Sequence, residues 1–206
     1  MERKLSTIFT SDVVAFSKMM EENEEKTLET LGERRQVIDV VIADHHAKIF
    51  GESGDSIIAE FGSPIKATEC AVQMQDRMHG MNENAPQDQR MNFRIGINIG
   101  DVMVSQNNLY GEAVNVAARL ESAAYPSGIC ISKPVFDMIN QKIQVSFEDA
   151  GTLELKNISE PVQAYFVVQS KSGTRFLQYV EAPKVKVEWA EPGSLAVMLF
   201  KSLSKD

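Results

Sequence analysis

Residues 47–61, AKIFGESGDSIIAEF, decide the fold. Two short apolar runs flank a Gly-rich centre, and that pattern predicts a β-hairpin. A hairpin demands antiparallel pairing, so the alternating strands and helices around it read as α+β rather than as a doubly wound parallel sheet. On the N-terminal side, LSTIFTSDV (5–13) is apolar and β-branched and reads as a strand closing at Asp12. From Ser17 to His46 the pattern is helical, with Leu28, Leu31, Val37, Val40 and Val41 spaced along a charged background, and 21–26 as its solvated start.

On the C-terminal side a helix is predicted from Ser63 to Met81, opened by Ser63-Pro64. The polar run 82–90 is a loop, and NFRIGINIG with DVMVSQ (92–106) reads as a strand pair turning at Gly100-Asp101. A helix over Gly111 to Ala124, the buried strand GICIS (128–132), a short helix capped by Ser132 and running to Ile139, and strands over 145–153 and 162–168 complete the order. Strand, helix, hairpin, helix, strand predicts a ferredoxin-like βαββαβ sandwich with appended strands and helix, occupying 1–170. Residues 171–206 read as a tail whose last stretch, EPGSLAVMLFKSLSKD, looks like the opening of a following domain.

Composition narrows the function. Of 206 residues, 43% are hydrophobic and 24% charged, the balance of a packed globular domain. A net charge of -8 argues against a nucleic-acid binder, yet it leaves nucleotide binding open where metal ions meet the phosphates. No apolar run reaches membrane-span length and the N-terminus has no signal-peptide core, so the expected location is cytoplasmic. Cys70 and Cys130 sit in apolar patterns and are expected to be reduced core residues.

Few side chains are placed for chemistry. Asp12 ends a strand and Asp55 tips the next hairpin; in a compact sandwich two neighbouring strands can bring those ends together, and two carboxylates there would suit magnesium. Taken singly, Asp12 serves equally as a helix cap and Asp55 as a turn residue. Asn115 and Arg119 are four apart and share a helix face, with Ala117 and Ala118 keeping the surface between them low. Arg119 offers phosphate a planar fork, or else pairs with a nearby carboxylate. Lys156 lies between two strand-like segments, where a lysine is usually solvent-facing. Met78 and Met81 read as core filler, and His45 and His46, pointing to different faces, do not make a metal cluster.

Five stretches in order, TIFTSDVVAFS (7–17), GESGDSIIAEFGSP (51–64), FRIGINIGDV (93–102), LYGEAVNVAARLES (109–122) and GTLELKNISEPVQAYFV (151–167), resemble the class III adenylate and guanylate cyclase catalytic domains. The resemblance implies two Mg²⁺ or Mn²⁺ ions per active site on Asp12 and Asp55, with a backbone carbonyl from Val13. It implies that Asn115 orients the ribose, Arg119 stabilises charge on the α-phosphate, and Lys156 contacts the phosphates. Phe16 and Ser17 fall among the substrate-binding positions. It further implies a head-to-tail homodimer that converts ATP to 3′,5′-cyclic AMP and pyrophosphate, each site taking its aspartates from one chain and Asn115 and Arg119 from the other. Two purine-reading positions depart from the adenylate cyclase pattern: Gly51 stands where a Lys is usual, and Asn108 where Asp or Thr is usual. An amide at Asn108 matches the adenine edge, which favours ATP. A guanylate cyclase, or a degenerate domain that dimerises and regulates an attached region, are the alternative readings. A palm-type domain condensing two GTP molecules is disfavoured because its acidic GGDEF-type hairpin is missing.

Overall fold

A computed structural model describes residues 2–105 and 108–169. The chain runs β1 (Glu2–Val13), α1 (Phe16–Glu22), α2 (Glu24–Asp44), β2 (Lys48–Ser53), β3 (Ser56–Phe61), α3 (Pro64–Glu83), β4 (Phe93–Ser105), β5 (Asn108–Tyr110), α4 (Glu112–Ala123), β6 (Ile129–Ser132), α5 (Lys133–Ile139), β7 (Ser146–Leu153) and β8 (Val162–Gln169). The sheet order is β2-β3-β1-β4-β6-β8-β7, with β5 pairing along the far end of β4. Its first four strands are antiparallel throughout, which is the expected βαββαβ sandwich, and β6 extends it in parallel to β4. The predicted tail 171–206 lies outside the described residues.

The two faces of the sheet carry different loads. Phe9 and Val13 of β1, Ile57 to Phe61 of β3 and Phe93 to Ile97 of β4 alternate inward against α2, α3 and α5, where Ile38, Ile42, Met74 and Met78 fill the main core. The opposite face packs against α4, through Ala113, Ala117, Val116 and Leu120. Glycines on β4 explain how closely α4 lies. A Cβ at Gly96 would overlap the Ala117 carbonyl and the Glu121 amide, and one at Gly100 would come within 2.9 Å of the Ala113 Cβ. Between them, Asn98 Nδ2 donates to the Ala113 carbonyl at 3.1 Å. Helix α4 therefore rests backbone-on-backbone along one strand.

Several expectations are corrected. Gly100-Asp101 is not a turn: β4 continues to Ser105, held extended by β1 with Gly100 opposite Ser6 and Asp101 opposite Leu5. The glycine is required by the helix above it. The single helix predicted from Ser17 to His46 is two, because Asn23 adopts an extended backbone and its side chain accepts from the Lys26 amide at 3.0 Å, capping α2. Leu28 and Val40 are exposed, whereas Arg34 joins Leu31, Ile38 and Val41 on the buried face of α2. Ser132 does precede α5, but its hydroxyl makes no capping bond and is buried without a partner. Both cysteines are buried and free, and burial pushes each thiol up to about 12. Among the described residues no helix is long and apolar enough to cross a membrane.

Candidate active site

The end of β1 and the tip of the β2–β3 hairpin meet. Gly54 takes a left-handed φ of 60°, turning the chain so that Asp55 faces back toward β1. An Asp55 carboxylate oxygen accepts from the Val13 backbone amide at 2.8 Å. Asp12 and Asp55, far apart in sequence, thus become neighbours, and neither acts as a helix cap: α1 starts after Ala15, with no side-chain cap. Phe16 opens α1 beside the hairpin, its ring edge 4.0 Å from where a Gly54 Cβ would be, and Ser17 follows, exposed.

Two further charged residues complete this end of the sheet. Arg94 sits across from Asp12 in the β1–β4 register. Its Nε donates to Asp12 Oδ1 at 3.0 Å and its Nη2 to Oδ2 at 2.5 Å, a bidentate pairing, while Nη1 donates to the Ser122 carbonyl at 3.3 Å. The Asp12 carboxylate, chiefly through these bonds, raises the Arg94 guanidinium above its ordinary value. Glu121, on the sheet-facing side of α4, is only 8% exposed. Its carboxyl is pushed up to about 8, first by burial and then by the Asp12 carboxylate, with Arg94 pulling the other way. Neither Arg94 nor Glu121 stands out in sequence as a site residue. The signals were there: a cation in the apolar strand FRIGINIG, and an acid four residues after Ala117 on the buried stripe of α4.

A second group lies on another side of α4. Arg119 Nε donates to the Lys156 carbonyl at 3.1 Å, which joins those two predicted residues and directs the guanidinium toward the β7–β8 connection. Asn115 is exposed one turn earlier, and Lys156 is exposed. An open groove of about 420 Å³ runs along Glu154, Leu155, Lys156, Ile158, Ser159 and Pro161, none of which borders the aspartates. Arg119 and Glu121 are two residues apart on one helix, so they project about 200° apart. Glu121 faces Asp12; Arg119 faces away from it. The purine-reading positions stand apart again. Gly51 pairs with Ile58, whose Cδ1 is 3.4 Å from where a Cβ would sit, and Asn108 is exposed opposite Ser105 on β5.

The donors around the strand end are all oxygens: two carboxylates and the Val13 carbonyl. This is a set for a hard divalent cation such as Mg²⁺ or Mn²⁺ that takes its remaining ligands from phosphates and water. Among the described residues no cluster of three or more His, Cys, Asp or Glu is placed to hold a metal ion.

Comparison with known proteins defines the class of protein first. The structure of an adenylate/guanylate cyclase/hydrolase from Silicibacter pomeroyi superposes with a TM-score of 0.77 at 35% identity, covering 82% of this chain and 99% of that one. The adenylyl cyclase CyaB from P. aeruginosa superposes with 0.72 at 26% identity, covering 84% and 98%. The fold is that of a class III nucleotide cyclase catalytic domain. The family model for the adenylate and guanylate cyclase catalytic domain matches residues 2–169, and the chain belongs to that family. A relative from Rhizobium meliloti (strain 1021) that bears the name "Putative adenylate cyclase 3" is 35% identical over 205 residues, 99% of this chain and 35% of that protein. The chain thus spans about a third or less of the length of the first curated relatives it matches.

Proposed function

We propose that this domain is an adenylate cyclase that converts ATP to 3′,5′-cyclic AMP and pyrophosphate in a site shared by two copies. The observation that carries the reading is the hydrogen bond from the Val13 amide to Asp55, which brings Asp55 against the strand end that bears Asp12. Asp12, Asp55 and Val13 would hold two divalent ions, which when bound would favour loss of the ribose 3′-hydroxyl proton and offset charge on the phosphates. The 3′ oxygen forms its bond to the α-phosphorus as the bond to pyrophosphate breaks. Asn115 holds the ribose, the Arg119 fork meets charge developing on the α-phosphate, and Lys156 contacts the phosphates.

The outward aim of Arg119, roughly opposite to Glu121 and the aspartates, supports a head-to-tail homodimer in which each chain gives its metal pair to one site and its Asn115–Arg119 face to the other. Asn108 supports ATP, because its amide matches the donor and acceptor of the adenine edge, whereas Gly51 contributes no side chain. GTP is the second reading, favoured by the similarity to the guanylyl cyclase Cya2, whose structure superposes with a TM-score of 0.70 at 26% identity. Residues 1–170 are the catalytic unit in this reading.

The test is product formation by purified, dimeric protein with ATP and GTP in parallel, each with Mn²⁺ and Mg²⁺. Cyclic AMP and pyrophosphate in equal amounts are expected. Cyclic GMP as the main product would move the reading to the guanylate class, and no cyclic product under any pairing would overturn the enzyme assignment.

A further inference from the structure

The carbonyl of Val13 and the amide of Val14 are two ends of one planar trans peptide, so holding either end sets the direction of the other. The Val14 amide donates to the Asn92 carbonyl at 2.9 Å, one step past the β1–β4 register that closes with Val13 opposite Phe93. That bond draws the amide toward β4 and points the Val13 carbonyl the other way, to the side where Asp55 takes the Val13 amide. The chain turns directly afterwards: Ala15 has a left-handed φ of 58°, unfavourable for a residue with a Cβ. Relaxation there would swing the Val13–Val14 peptide, so the Asn92 bond has to resist it. Asn92 is exposed and outside any strand, and side chains hold it in place. The Asn82 carboxamide, at the end of α3, grips both backbone groups of Met91: its Nδ2 donates to the Met91 carbonyl at 2.8 Å, and the Met91 amide donates to its Oδ1 at 3.1 Å. The same Nδ2 donates to Asn92 Oδ1 at 3.3 Å, which also accepts from the Ser127 hydroxyl at 3.0 Å. Seven residues earlier, on the same face of α3, buried Gln75 donates through Nε2 to the Phe93 carbonyl at 2.9 Å and to the Gly128 carbonyl at 3.1 Å. Two amide side chains of one helix thus fix residues 91–93, and Met74 and Met78 anchor that helix in the main core.

We propose that Asn82 is a positioning residue for the metal seat: through Met91 and Asn92 it holds the Val13–Val14 peptide so that the Val13 carbonyl faces the cation. A neutral carbonyl has no net charge with which to draw a cation in, so its worth as a ligand depends on its direction. Asn82 acts through the backbone alone. Asn84, two residues further on, supplies a matched control, because its Nδ2 donates at 2.9 Å to the Gly80 carbonyl of α3 itself. The inference rests on the reading of Asp12, Asp55 and Val13 as metal ligands.

The first readout needs no metal: amide hydrogen exchange of the full chain, followed residue by residue by NMR. In Asn82→Ala the Val14 amide should exchange about fivefold faster, the scale of one weakened hydrogen bond, while the Phe9 amide in the middle of β1 keeps its protection. Asn84→Ala should leave Val14 unchanged. Parental exchange at Val14 in Asn82→Ala would overturn the clamp. A second pair of variants approaches from the other end. Asn92→Ala removes the accepting oxygen and should also speed Val14 exchange, whereas Asn92→Asp keeps it and should restore protection; equal exchange in the two would overturn the link from Asn82 to Asn92. The second readout is Mn²⁺ alone, without nucleotide, titrated into the full chain and followed by the loss of the free-ion electron paramagnetic resonance signal. Asn82→Ala should bind about tenfold more weakly, the scale for a residue that orients a ligand from behind, and Asn84→Ala should bind as the parent does. Faster Val14 exchange together with parental Mn²⁺ affinity would overturn the positioning role and leave Asn82 a structural clamp. Asp12→Asn isolates the underlying reading: if it binds Mn²⁺ as the parent does, or no chain binds any, the metal seat itself is wrong and the positioning role falls with it.

Discussion

The Gly96–α4 contact can be tested by adding one methyl group. In Gly96→Ala the new Cβ meets the Ala117 carbonyl, the Glu121 amide and the Glu121 Cα, all backbone, so no side chain can rotate out of its way. The helix must lift or the strand must bend, and overpacking of this kind costs about 1–3 kcal/mol. In a domain of this size that lowers the melting temperature by about 3–10 °C. A matched control is Gly80→Ala in α3, where nothing lies within 4 Å of the new Cβ. There the change should stabilise by about 0.5–1 kcal/mol, since glycine in a helix costs conformational entropy. Urea unfolding of the three proteins reads both values directly. Activity adds a second reading, because α4 carries Asn115 and Arg119 and a displacement of about 1 Å can cost about 100-fold in rate. A Gly96→Ala protein within 0.5 kcal/mol of the parent, with unchanged turnover, would refute the claim that β4 sets the position of α4.

Other consequences are open to simple assays. Asp55→Ala and Arg119→Ala chains should each be inactive alone, yet an equal mixture should recover about a quarter of parental activity, since half of random dimers hold one intact site of two; no recovery would argue against a shared site. Gly51→Lys has room beside Ile58 and should raise the ATP-over-GTP ratio of kcat/KM about tenfold, read from paired assays of both nucleotides. Cys70 and Cys130, with thiols pushed up to about 12 by burial, should resist a disulfide reagent at pH 8 until urea is added. Because the unfolded thiols ionise first, their contribution to stability should hold below about pH 9 and fall as pH rises toward 12, a slope measurable by urea unfolding.

Local pattern carried the elements whose neighbours are close in sequence. The hairpin over 47–61, the helix bearing Asn115 and Arg119, and the buried strand Ile129–Ser132 stand where composition and spacing place them. Misreadings arose where a distant segment decides. Gly100 resembles a turn residue until Ala113 is seen above it. Leu28 and Val40 have the right apolar character for a core, but they lie off the buried stripe of α2 that runs through Leu31, Arg34, Ile38 and Val41. The site shows the same division. Asp12 and Asp55 are legible as strand-end and turn-tip acids, and the family resemblance pairs them. Arg94 and Glu121 escape notice because their meaning lies in cross-strand and helix-on-strand partners that no sequence window contains.

The unbroken length of β4 acts as a ruler. Arg94, beside Asp12, and Ser105, beside Asn108, are eleven steps apart on one strand, which is about 36 Å of extended chain. That is longer than any nucleoside triphosphate. If one ATP is read by an Asn108 and cleaved at an Asp12, those residues belong to different copies of the chain, and the strand's rigidity makes the spacing hard to evade by local movement. The same ruler reports on assembly, because any shift of one copy along its neighbour would move base reader and cleavage chemistry out of step at both sites together.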